Sequence, residues 1–280
     1  MTHIPTTVSV PVPQGLRPRC AEATCVVRSN TPVNGEYRLL TLDAPEAILD
    51  CQPGQFFQLL CPAPEGESPF LRRPMSIYGY DKAAGRLEFL YKIAGAGTRG
   101  LATLRPGDAF NVLGPLGHGF SMPENWQNLM LVARGVGLAT LAPLARMAQE
   151  KDRKLTAICS ARRPDLAMSV DLFESYGAEV IVVHDEDGSS TPEALRPLIE
   201  ARIAKGKVDA FYTCGSSRLL RLLQDLGNAH SIPGEIAMEQ QMACGLGMCQ
   251  ACVRSFRVGD RIIQRRVCRE GPVFPISEAI

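Results

Sequence analysis

The rhythm of apolar and polar positions changes once along the chain, near Trp126. Before it, residues 20 to 122 carry short apolar runs broken by turn residues. Tyr37–Leu42 ("YRLLTL"), Phe56–Leu60 ("FFQLL") and Leu87–Ile93 ("LEFLYKI") are separated by "QPGQ", "AAGR" and "RPGD". In "LEFLYKI", Leu87, Phe89, Tyr91 and Ile93 share one strand face, and Glu88 and Lys92 share the other. Several short strands at this spacing predict an all-β unit, an antiparallel β-barrel or sandwich.

After Trp126 the runs are buried-strand runs alternating with helical periodicity. Leu129–Ala133 ("LMLVA"), Leu155–Ala161 ("LTAICSA"), Ala178–Asp185 ("AEVIVVHD") and Asp209–Gly215 ("DAFYTCG") are predicted strands, and Leu138–Gln149 is a predicted helix. "TPEALRPLIEARIAK" predicts another, with Thr191 as N-cap and Pro192 at the first helical position. Such alternation predicts a parallel sheet covered by helices on both faces. The resulting division is 1–19 as an extended, proline-rich arm, 20–122 as the barrel, 123–233 as the α/β domain, and 234–280 as a small C-terminal unit. A tail of that size is too short for an independent core without a staple.

Composition narrows the partners. The formal net charge of +1 gives no electrostatic reason for a nucleic-acid or membrane partner. No apolar run approaches the ~18 residues of a membrane span. The N-terminal segment lacks a basic stretch followed by an apolar one, so the expectation is a cytoplasmic protein. Ten cysteines then need a role other than disulfides, because that compartment keeps thiols reduced.

Four of them supply one. "CGLGMCQAC" places Cys244, Cys249 and Cys252 at Cys-x4-Cys-x2-Cys, and Cys268 follows after fifteen residues. A structural zinc site usually takes two Cys-x2-Cys knuckles, and only one such pair is present. The four-then-two spacing with a distant fourth thiolate is the arrangement of a 2Fe–2S cluster. Gly245 and Gly247 let such a loop curl and aim its amides at sulfur. The remaining cysteines are scattered, as small core residues are.

A second constellation lies in the barrel. "RRPMS" puts Arg73, Pro74, Met75 and Ser76 on one strand edge, where a guanidinium can hold a diphosphate and a hydroxyl can bond a ring or phosphate oxygen. "LYK" (Leu90, Tyr91, Lys92), "GAGT" with Gly97 and Thr98, and "GPLGHGF" (Gly114–Phe120) follow in order. Gly97 and Thr98 can offer an amide and a hydroxyl to a phosphate.

With "RRPMS", the α/β pattern and "CGLGMCQAC…RVCREGPVF" together, the chain resembles the electron-transfer subunit of two-subunit, NAD-linked dihydroorotate dehydrogenases, in the ferredoxin–NADP reductase superfamily. The resemblance implies FAD on Arg73, Pro74, Met75 and Ser76, a flavin wall continued by Leu90, Tyr91 and Lys92, and a pyrophosphate at Gly97 and Thr98. It implies a 2Fe–2S cluster on Cys244, Cys249, Cys252 and Cys268. It further implies an FMN-bearing catalytic subunit as partner, in a complex with two copies of each subunit, and NAD as electron acceptor. A reductase subunit of another flavin and iron–sulfur complex, of transhydrogenase or hydrogenase type, is the alternative. A zinc-stapled interaction module is the alternative from another class.

The nucleotide half departs from the resemblance. In "VARGVGLATL" (Val132–Leu141), Ala133 and Arg134 stand where glycines are expected, and Thr140 where a proline is. Cys214-Gly215-Ser216 replaces a Cys-Gly-Pro. Arg134 either narrows the approach to a phosphate or adds a cation to it. The basic set Arg254, Arg257, Arg261, Arg265, Arg266 and Arg269 reads as a docking face or, by preference, as a solvated hairpin. His184 with Asp185 and Asp187 reads as a strand end with a solvated turn.

Overall fold

The computed structural model of the chain describes residues 20–280; the expected arm at 1–19 lies outside the described residues. The first half folds as β1 (Ala21–Pro32), β2 (Tyr37–Asp43), β3 (Phe56–Leu59), β4 (Arg73–Ser76), β5 (Gly79–Asp81), β6 (Arg86–Lys92), helix α1 (Ala96–Thr103) and β7 (Ala109–Leu116). The seven strands form one antiparallel sheet in the order β4-β3-β7-β1-β2-β6-β5. It curls around a core of Leu40, Leu42, Phe57, Leu59, Leu87, Phe89 and Tyr91, with Phe57 and Phe89 edge to face at 5.8 Å. The unit is therefore the expected antiparallel barrel, open between its two edge strands.

Two elements lie outside those the sequence predicts. The "GAGT" segment forms the start of α1. Thr98 accepts the amides of Ala94 and Gly95 (2.8 and 3.0 Å), which supplies the N-terminal cap. Long β1 alternates so that Cys25 and Val27 face inward, but Val26 between them is exposed and Asn30 is buried, which masks the period.

The second half runs β8 (Asn128–Arg134), α2 (Gly137–Glu150), β9 (Lys154–Ala161), α3 (Val170–Ser175), β10 (Glu179–His184), α4 (Pro192–Ile203), β11 (Ala210–Cys214), α5 (Ser217–His230) and β12 (Gly234–Ala237). The hairpin β13 (Val253–Val258) and β14 (Arg261–Arg266), short α6 (Val267–Glu270) and β15 (Val273–Pro275) complete the chain. The sheet order is β10-β9-β8-β11-β12-β15, parallel except for β15. Thr191 caps α4 by accepting the amide of Ala194 at 3.3 Å, as its sequence predicts.

The boundary expected at residue 233 is crossed by this sheet. β12 pairs with β11 directly after Pro233, and β15 returns from the cysteine-bearing segment to pair with β12. The C-terminal segment lacks apolar mass for its own core and shares one instead. Cys252, Phe256, Val267, Cys268 and Phe274 pack in the same cluster as Leu219, Leu223 and Leu226 of α5 and Phe56 and Leu116 of the barrel. The barrel is joined here as well: Tyr212 stacks edge to face on Phe120 at 5.5 Å and donates to the Ser121 carbonyl at 2.7 Å.

Cutting the chain after Pro233 strips β12 and β15 from the sheet and uncovers Phe211 and α5. The expected outcome is loss of a cooperative thermal transition by circular dichroism; a truncated chain melting at the full-length midpoint contradicts the shared core.

Candidate functional site

Three sets of residues meet along one seam. β3 and β4 pair so that Phe56 opposes Ser76 and Gln58 opposes Pro74. Phe57 and Leu59 point into the barrel, so Phe56 and Gln58 face outward, toward the C-terminal segment. A cavity of about 240 Å³ opens over this edge. Pro74, Met75, Ser76 and Leu90 line its barrel side, and Val136, Thr140, Cys214 and Glu239 line its α/β side. A wider recess, about 710 Å³, continues past Arg73 and Phe70.

The expected flavin residues divide accordingly. Pro74, Met75, Ser76 and Leu90 come together on the cavity. Arg73 and Gly97 come together beside it: a Cβ on Gly97 would lie 2.7 Å from Arg73 Nε, so the bare glycine lets the guanidinium lie close over the start of α1. Thr98 lies in the same turn, but its hydroxyl is engaged in the cap. Tyr91 points away. Its ring is in the barrel core, and its hydroxyl donates to Asn30 Oδ1 at 3.0 Å. Lys92 pairs with Glu36 at 2.5 Å, and Glu36 also holds Arg162 of the α/β domain. Lys92 thus ties the two domains beside the nucleotide crevice. An apolar slot ending in an arginine over bare helix amides fits the ring and diphosphate of a flavin dinucleotide.

The four thiols form two pairs. Cys252 and Cys268 Sγ atoms are 3.1 Å apart and buried. Cys244 accepts amides from Leu246 (3.3 Å) and Cys249 (3.5 Å). Gly245 and Gly247 have φ of +70° and +84°, which curls the loop as its sequence predicts. Burial raises the Cys244 thiol, but the Cys249 and Leu246 amides outweigh it and bring it down to about 6. Burial and the neighbouring Cys252 push Cys268 up to about 12. Two pairs of thiols with amides aimed at sulfur suit a 2Fe–2S cluster, in which each iron takes two protein ligands. Burial drives Cys25 to about 11 and Cys159 to about 12, and outweighs Arg73 in raising Cys61 to about 11, as expected of inert core thiols.

The nucleotide crevice lies where the strand order reverses, outside the carboxyl ends of β8 and β11. Gly137 and Gly215 keep the two turns in close approach: a Cβ on Gly137 would lie 2.5 Å from the Cys214 carbonyl. Thr140 is buried at the cavity and bonds the Cys214 thiol, which burial holds strongly upward. Ser216, in the place of a proline, caps α5 by accepting the Leu219 amide. Arg134 lines a recess of about 250 Å³ over the crevice, together with Gly135, Val136 and Gly215. Its guanidinium holds Asp185 through bonds of 2.9 and 2.6 Å and also meets Ser160. His184 meets Asp187 at 3.1 Å, the turn that the sequence suggests.

The family described as the iron-sulfur cluster binding domain of dihydroorotate dehydrogenase B matches residues 239–280, and that described as the oxidoreductase FAD-binding domain matches residues 24–120. The dihydroorotate dehydrogenase B (NAD(+)) electron transfer subunit of Desulforamulus reducens is 30% identical over 241 residues, covering 86% of this chain and 91% of that one. The chain belongs to the family of dihydroorotate dehydrogenase B electron-transfer subunits. It is an oxidoreductase with FAD and iron–sulfur binding domains. The subunit of the same name from Caldanaerobacter subterraneus is 33% identical, over 81% of this chain and 87% of that one. Among solved structures, one of an NADH-dependent reduced ferredoxin-NADP oxidoreductase is 25% identical with a TM-score of 0.76, covering 92% of this chain and 90% of that one. Ferredoxin-NADP+ reductase from Plasmodium falciparum, 15% identical with a TM-score of 0.59 over 75% of this chain and 90% of that one, shares the fold. No helix among the described residues is long and apolar enough to cross a membrane.

The sequence reading missed Glu239, which lines both recesses from the linker after β12, and Gln58. Gln58 did leave a signal, as the one polar residue inside "FFQLL".

The Arg134–Asp185 pair yields a pH prediction. Arg134, then Ser190, hold the Asp185 carboxyl at about 2, below its ordinary value. Its stabilisation is therefore complete above ~4 and lost as pH falls toward 2. The stability difference between wild type and Asp185→Asn should stay constant from neutral pH down to ~4 and shrink below it, read by denaturant titration. A difference unchanged at the acid end contradicts the pairing.

Proposed function

We propose that this chain links an FMN-bearing dihydroorotate dehydrogenase catalytic subunit to NAD⁺, in a cytoplasmic complex with two copies of each subunit. FAD and a 2Fe–2S cluster supply the redox chemistry. Cys244, Cys249, Cys252 and Cys268 are the cluster ligands. Arg73, Pro74, Met75, Ser76, Leu90, Gly97 and Thr98 hold FAD, Arg73 and the α1 amides taking its diphosphate. Tyr91 and Lys92 serve from behind, one as barrel core and one as a tie to Glu36. The crevice between β8 and β11 admits the nicotinamide beside Cys214 and Thr140.

The observation that carries this reading is the common cavity. Flavin-strand residues and the switch-point residues Thr140 and Cys214 face each other across it, and the thiol loop packs against the next strand. Carriers that exchange electrons must lie close, and one seam brings all three together.

The docking face is apolar. Phe70 and Met248 are 94% and 84% exposed, on the approach to the flavin strand and on the thiol loop, with Leu71 next to the one and Leu246 two residues before the other. Phe70 and Met248 are the most exposed large apolar side chains of the described residues, and we take them as partner contacts. Arg265 and Arg266 are poorer candidates, being paired with Glu278 and Glu270 within the chain.

The likeness to the NADH-dependent reduced ferredoxin-NADP oxidoreductase favours a second reading, a reductase subunit of a ferredoxin-linked complex. Mixing with a dihydroorotate dehydrogenase catalytic subunit separates the two. The proposal expects a stable complex that reduces NAD⁺ with dihydroorotate; no association by size exclusion overturns it. Phe70→Asp with Met248→Asp should weaken association about tenfold or more while leaving both cofactors bound, the scale of losing a central apolar contact. Unchanged affinity rules out that face.

A further inference from the structure

The deepest unexplained polar group in the seam is the side chain of Gln58. It is wholly buried, and neither its amide nitrogen nor its carbonyl oxygen has a hydrogen-bond partner among the described residues. Native structures rarely leave a buried amide unpaired, because the water it gave up is not replaced. Its place is specific. Gln58 shares a strand rung with Pro74 of the flavin edge, and its outward neighbour Phe56 packs in the same core as Cys252 and Cys268. Its side chain lies directly on Gly245, the residue after Cys244: a Cβ there would meet Gln58 Nε2 at 2.6 Å and Cγ at 2.8 Å. Only a glycine lets the amide come this close to the thiol loop.

The geometry points to Gln58 as a hydrogen-bond donor to the 2Fe–2S cluster, a positioning residue that ties the flavin strand to the cluster and raises its reduction potential. The inference rests on the proposed cluster on Cys244, Cys249, Cys252 and Cys268. The cluster's sulfurs are acceptors that the protein alone does not provide at this point, and Gln58 Nε2 carries two donor hydrogens. A donor to sulfur stabilises the more negative, reduced cluster more than the oxidised one, so the potential rises.

The test compares the full-length wild type with Gln58→Met, of similar length without a donor, and Gln58→His, which keeps an N–H. Iron, sulfide and FAD content are measured first, then midpoint potentials by EPR-monitored titration. Gln58→Met is expected to load the cluster but to lower the reduced-to-oxidised ratio at a fixed potential about tenfold, which is about 59 mV for a one-electron couple. Gln58→His should recover part of that shift, and the FAD midpoint should not move. A Gln58→Met cluster titrating with the wild type overturns the inference. If Gln58→Met fails to load, wild type labelled with ¹⁵N-glutamine decides. A ¹⁵N coupling to the reduced cluster that Gln58→His lacks supports the bond, and no such coupling overturns it. A wild type that binds no cluster overturns the proposed function itself, which separates that failure from this one.

Discussion

The contact of barrel strand β3 with the thiol loop is the constraint on which the rest depends. One face of the strand, Phe57 and Leu59, belongs to the barrel core; the other, Phe56 and Gln58, closes on the C-terminal segment. A strand buried on both faces cannot shift its register by one residue without exposing one core and disrupting the other. It therefore fixes the flavin edge β4, its neighbour, relative to Cys244. The same apolar cluster holds Phe274 of β15 and the leucines of α5, so the α/β sheet is locked to the same reference. The seam is a shared core to which barrel, α/β sheet and C-terminal segment all contribute.

This explains why charge plays a secondary part. The ion pairs that cross between barrel and α/β domain, such as Glu36 with Arg162, are solvent-accessible and individually weak. Arg134, which from sequence stands at the phosphate turn, is spent on Asp185 at a strand end. The flavin side of the crevice keeps the small polar groups of Thr140 and Cys214, as expected where a flat ring must slide in against a flavin, and the recess over the turn is lined by Lys92, Arg134 and Arg162.

Much of this was legible in the chain. Short apolar runs between turn residues marked β2, β3 and β6, and buried-strand runs marked β8 to β11 to within a residue or two, because apolar runs report burial directly. The four cysteines and two glycines marked the loop, since that spacing has few other uses. The legible part ended where tertiary partners decide. Nothing local says that Gly234–Ala237 joins the sheet rather than the cluster segment, or that Thr98 caps a helix rather than offering its hydroxyl to a phosphate. Tyr91 belongs to a flavin-edge motif by sequence, yet alternation along β6 sends it inward, toward Asn30. "FFQLL" was read as apolar, and its single polar residue proved to be the one nearest the thiol loop.

The claim that one seam joins nicotinamide crevice, flavin cavity and thiol loop is tested most directly on the isolated chain. EPR spectra of anaerobic protein, frozen after mixing with NADH and separately with dithionite, compare the two reductants. The account predicts the signal of a reduced 2Fe–2S cluster with both. A cluster that dithionite reduces but NADH leaves oxidised while bleaching the flavin would contradict the joining of flavin and cluster, and NADH that leaves both untouched would contradict the crevice.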